Sequence, residues 1–184
     1  MNRRIRFDPG AALLLGILIF TLTPKEIAAL LASAAVHEAG HLVALLTAGS
    51  PPRGVHFTLS GPVIICQHSD SGWKDAFCAL SGPLCGLVFA FILRKMWPLF
   101  AEISFWLSIL NLIPVLPLDG GRAMQALLRG SYSKLQCVLE FLIPAVFMLA
   151  GLMLIGRGEN GSGLLMFGAW LLILSCQERQ FDVK

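Results

Sequence analysis

Apolar residues run through this sequence in stretches too long and too frequent for a water-soluble fold. Six can be bounded, at 9–23, 24–48, 76–97, 99–118, 135–156 and 161–176. A helix needs roughly 20 apolar residues to cross the hydrocarbon of a bilayer. In lipid every backbone N–H and C=O must find its partner inside the structure, which leaves helices or closed barrels. Charged residues make up 14% of the chain, against about 25% in an average soluble domain. The expected fold is all-α and integral to the membrane, a bundle of about six transmembrane helices in a single domain over residues 1–184. The first and last segments are short and either tilt or cross only partway.

The fourteen Lys and Arg residues are scattered between the apolar runs. They form no patch suited to nucleic acid; their distribution bears on orientation, because basic residues accumulate on the cytoplasmic side. With a cytoplasmic N-terminus and six crossings, ten of the fourteen face inward, and only Lys25, Arg94, Lys95 and Arg157 face outward. Both termini are then cytoplasmic. The basic start followed by an apolar run resembles a signal peptide, but no small-residue cleavage site follows, so a retained first span is expected. The five cysteines show no CxxC pair, and four lie in or at the end of apolar runs, where Cys behaves as a small hydrophobe. No structural disulfide is expected.

One loop has a pattern of its own. Val55, Phe57 and Leu59 alternate with His56, Thr58 and Ser60, and Gly61-Pro62 then leads into Val63-Ile64-Ile65. Alternation, a turn and a β-branched run predict a short β-hairpin after the second helix.

The second apolar segment contains Ser33-Ala-Ala-Val-His37-Glu38-Ala-Gly-His41, three ionisable groups within five positions. Such groups are costly in a membrane and mark functional sites or wet cavities. Residues four apart share one helix face, one turn apart, so His37 and His41 can bind one zinc ion with Glu38 beside them as general base. A buried polar cluster gluing helices together would not need Glu between two His at this spacing. A catalytic zinc site has three protein ligands and an open position. For the third, Asp70, Asp75, Glu102, Asp119, Glu140, Glu159, His56 and His68 are available. Asp119 stands out. It ends Asn111-Leu-Ile-Pro-Val-Leu-Pro-Leu-Asp119-Gly-Gly-Arg122, where Pro114 and Pro117 break the fourth helix. Broken backbone at this depth must be buried in protein or line a cavity. Asp119 could instead simply cap the helix that follows, and Glu140 is the main rival ligand.

These two motifs together resemble the site-2 protease family of intramembrane zinc metalloproteases, in particular its compact bacterial branch. The Ser81-Gly-Pro-Leu-Cys-Gly86 stretch is similar to that family's Gly-Pro element, and the resemblance spans about residues 33–122. It implies one zinc per chain held by His37, His41 and Asp119, with Glu38 as the catalytic glutamate and Asn111 holding substrate. It also implies a bacterial cell membrane and membrane-spanning protein substrates, cleaved within or near their transmembrane segments in regulated intramembrane proteolysis. No PDZ or cystathionine-synthase-like domain is expected, so ATP sensing through the latter is not carried over.

In the expected mechanism Glu38 takes a proton from a zinc-acidified water and passes it to the leaving amine. Asn111 could donate a hydrogen bond to the substrate or the developing oxyanion. His56 and Arg122 are further candidates for assistance. His37 lies eleven residues before Ala48, or about 16 Å along a helix, so the site sits inside the bilayer, nearer the cytoplasm. The alternative class is a zinc-binding membrane protein without protease activity, which would have no use for Glu38. A purely structural subunit would need no HExxH. No GxSG or GxGD element supports a serine or aspartyl intramembrane protease.

Overall fold

The computed structural model describes residues 6–7, 16, 21–49, 54–58, 61–65, 71–128 and 134–182, with only the backbone for the strands and for 177–182. Most of the first apolar segment lies outside them, as do the hairpin tip, the side chain of His56, and Cys66, His68, Asp70, Arg129 and Tyr132. In chain order the elements are β1 (Arg6–Phe7), α1 (Pro24–Thr47), β2 (Gly54–Thr58), β3 (Gly61–Ile65), α2 (Gly72–Leu93), α3 (Pro98–Asn111), α4 (Asp119–Leu127), α5 (Lys134–Gly156) and α6 (Ser162–Asp182). They fall into two units, 1–112 and 113–184.

In the first unit α1 starts where local chemistry dictates. Pro24 fills a first-turn position whose N–H would have no helical partner. The Thr23 N–H donates to Glu26 Oε2 at 2.7 Å, and the Glu26 N–H donates to Thr23 Oγ1 at 3.4 Å, a reciprocal capping box. The helix ends at Thr47 with Ala48 as its C-cap, and Gly49 follows with a φ of 73°, a conformation that suits glycine. Helices α1, α2 and α3 pack against one another through small residues. Ala29, Ser33 and Ala44 on α1, Ala76, Gly86 and Ala90 on α2, and Ala101, Ser104 and Ser108 on α3 are all buried. Large apolar residues such as Val88, Phe91 and Ile92 point outward and are exposed. That inversion suits helices that touch each other through small residues and touch lipid elsewhere. The buried hydroxyls are satisfied by backbone: Ser33 Oγ donates to the Phe100 carbonyl (3.4 Å), Ser104 Oγ to Gly86 (3.0 Å) and Ser108 Oγ to Ser104 (2.7 Å). Strands β2 and β3 pair antiparallel from Gly54↔Ile65 to Thr58↔Gly61. β1 lies parallel to β2 on its other side, with Arg6 opposite His56.

The second unit opens with the proline-broken backbone at 113–118. Pro114 and Pro117 lack the N–H groups that would continue α3 past Asn111. The freed backbone is satisfied locally. The Val115 N–H donates to the Ile113 carbonyl at 2.8 Å and the Leu118 N–H to Val115 at 2.9 Å. Ser175 Oγ on α6 donates to the Leu116 carbonyl at 2.8 Å. Val115, Leu118 and Leu171 form the core here, flanked by Ile143, Phe167 and Trp170. Helix α4 starts hard against this segment. A Cβ on Gly121 would meet the Leu116 nitrogen at 2.5 Å and the Val115 carbonyl oxygen at 2.6 Å.

Six helices are described, and three of them are long and apolar enough to cross a membrane: α1, α2 and α5. The other expected crossings differ in length. At 14 residues α3 reaches about 21 Å, short of the roughly 30 Å of hydrocarbon, because the prolines end it early. In α6 the apolar part is the shorter stretch Ser162–Cys176.

Candidate metal centre

Helix α1 brings its two histidines together as their spacing requires. The Nε2 atoms of His37 and His41 are 3.2 Å apart, and the rings meet edge to face at a centroid distance of 4.8 Å. His37 is buried, with 6% of its surface exposed, and His41 is half-buried. A contact across the helix pair sets the His41 tautomer. Its Nδ1 lies 2.8 Å from the Cys78 carbonyl oxygen on α2. A carbonyl only accepts, so Nδ1 carries the hydrogen, and in the neutral ring Nε2 keeps its lone pair. That lone pair faces His37. Ser81 Oγ donates to the same Cys78 carbonyl at 2.6 Å.

The histidine pair fits a zinc ion. Two nitrogens each roughly 2.0–2.1 Å from a tetrahedral ion lie about 3.3 Å apart, and the observed separation is 3.2 Å. A second-shell acceptor on the distal ring nitrogen is the usual companion of a ligating imidazole. The same distance also serves an Nε2–H···Nε2 hydrogen bond between the two rings. Glu38, next in the chain to His37, is half-buried on the same turn.

Asp119 belongs to the second unit. It is buried, 7% exposed, and it is the first residue of α4. It does not cap that helix, because the cap position is Leu118, which has no capping side chain. The carboxylate thus stands in the first turn, where the helix dipole favours negative charge. Asn111 closes α3, and its side-chain amide donates to the Leu107 carbonyl one turn back at 2.8 Å. Among the rival ligands, Glu102 and Glu159 are exposed and Asp75 is half-buried. Glu140 is 1% exposed on α5, where it accepts from Gln136 Nε2 at 3.3 Å. Arg122 is half-buried on α4. What residue reasoning missed is the Cys78 carbonyl. A backbone acceptor leaves no mark in side-chain identity.

Residues 93–153 match the model of Peptidase family M50. That stretch contains Asn111 and Asp119 and lies C-terminal to the histidines. A protein of Synechocystis sp., provisionally named a zinc metalloprotease, is 29% identical over 112 residues, 53% of this chain and 30% of that protein. The chain thus spans less than a third of that curated relative. The site-2 protease from Methanocaldococcus jannaschii has the same fold, with a TM-score of 0.69 over 94% of this chain and 88% of that one, at 19% identity.

Proposed function

We propose that this chain is a member of the site-2 protease family and acts as an intramembrane zinc endopeptidase, a reading supported by the match to Peptidase family M50 and by the shared fold. It cleaves peptide bonds within or near the transmembrane segments of membrane proteins, in regulated intramembrane proteolysis. The observation that carries the reading is the convergence of His37 and His41 Nε2 at 3.2 Å with His41 Nδ1 held by a carbonyl. The ligands proposed for the ion are His37, His41 and Asp119, two imidazoles and a carboxylate. Two neutral imidazoles and one carboxylate match the donor set of catalytic zinc, with one position left for water or substrate.

Bound there, the ion supplies Lewis acidity, which acidifies water and polarises a carbonyl. The chain supplies the rest. Glu38 accepts the proton of the attacking water and returns it to the leaving amine. The His41–Cys78 bond holds the ring with its lone pair aimed inward. Asn111 keeps one amide hydrogen on Leu107 and offers the other to substrate.

A transmembrane helix hides its peptide bonds in its own ladder, so the substrate must unwind to be cut. Among the described residues β3 pairs on one side only, and its outer edge is suited to hold the unwound segment as an added strand. A single membrane domain with six crossings, both termini in the cytoplasm and the zinc nearer that side completes the reading.

The test is cleavage of a transmembrane substrate in detergent by the native chain and by Glu38→Gln. Loss of the general base should lower the rate by roughly 10²–10⁴-fold. Unchanged cleavage by Glu38→Gln would remove the protease reading.

A further inference from the structure

One close contact between α1 and α2 bears directly on a proposed ligand. A Cβ placed on Gly82 falls on the His41 imidazole. The three heavy atoms nearest to it all belong to that ring, with Cε1 at 2.6 Å and Cδ2 at 2.7 Å. No side chain could be added there without displacing the ring. The approach is tight on the other helix too. A Cβ on Gly40, one residue before His41, would meet the Ser81 carbonyl oxygen at 2.6 Å and Cys85 Cβ at 2.7 Å. The backbones of the two helices therefore touch at this level.

The ring is restrained at two places by one turn of α2. Its Nδ1 is bonded to the Cys78 carbonyl at 2.8 Å, and its Nε2 side lies over Gly82. Four residues separate these two positions, so they share a face of α2. An interior glycine does α2 itself no favour, since alanine is the better helix former. Gly86, one turn on, is different in kind. Its Cβ would meet the Ser108 hydroxyl on α3, which touches neither histidine.

The geometry points to Gly82 as a positioning residue of the metal site. Its missing Cβ leaves the space in which the His41 imidazole lies with Nε2 turned toward His37. This inference rests on the zinc reading given above. The Ser81-Gly82-Pro83 element then serves the ligand itself, beyond letting two helices approach.

The test uses the full chain in detergent, with cobalt(II) as the probe. Gly82→Ala should weaken cobalt binding by about 10- to 100-fold, the usual cost of disturbing a ligand's support, and should alter the visible bands of the bound ion. Gly86→Ala should keep near-native affinity and spectrum. The second readout needs no metal. In metal-free protein Gly82→Ala should lower the melting temperature, but it should not do so in a His41→Ala background, where the ring it would strike is gone. If Gly82→Ala alone fails to fold, the double variant should restore folding. Native cobalt binding by Gly82→Ala would overturn the assignment, as would an equal loss of melting temperature in both backgrounds. If the native chain binds no cobalt, the zinc reading falls, while the melting comparison still decides whether Gly82 seats His41.

Discussion

His37 and His41 differ in what surrounds them, and that difference bears on how each responds to change. His41 is half-buried and tied through Nδ1 to a backbone carbonyl, which substitution of Cys78 cannot remove. His37 is more deeply buried, at 6% exposure. Replacing either with alanine should abolish stoichiometric zinc, read by elemental analysis of purified protein. Asn111→Ala should behave otherwise, keeping the metal while lowering the cleavage rate, as its proposed role in holding substrate requires. The approach of His37 to His41 was legible in the sequence from their spacing alone, because four positions on a helix leave no freedom in which face they share. Asp119 stood out as a candidate from the prolines before it, with Glu140 as its rival. The Gly82 contact was not, because it joins positions far apart in the chain and depends on how closely two helices approach. A glycine in an apolar run looks the same whether it faces lipid, a neighbouring helix or a ligand.

At the level of elements, the breaks carry the interpretation. The apolar run 99–118 is continuous by composition, yet α3 stops at Asn111 and α4 starts at Asp119, because Pro114 and Pro117 interrupt the ladder. The existence of that break was legible, but the length left to α3 was not. The packing of α4 on the broken segment gives a direct test. Gly121→Ala should destabilise the protein by about 1–3 kcal/mol, the range for overpacking, since its Cβ would press on the backbone of Val115 and Leu116. Gly163→Ala is the control. Nothing lies within 4 Å of a Cβ there, and its stability should stay level or rise. At the start of α1, Thr23→Ala removes one arm of the capping box and should cost about 1 kcal/mol. Unfolding in mixed micelles measures all three.

On the scale of the whole chain, composition placed the protein in the membrane, and the three long apolar helices agree with that. The number of crossings was harder to read, because hydropathy marks where apolar residues run and is silent on where a helix ends within the run. The basic residues favour cytoplasmic termini. Tags added at residues 1 and 184 should accordingly react with a membrane-impermeant reagent only in inverted vesicles. Chelation should stop cleavage and added zinc should restore it. The most direct test of the central claim is the zinc content of three purified chains: native, Glu38→Gln and Asp119→Ala. The account predicts about one zinc per chain in the first two and a large loss in Asp119→Ala. Native protein without zinc would contradict it, and so would Asp119→Ala holding as much zinc as the native chain.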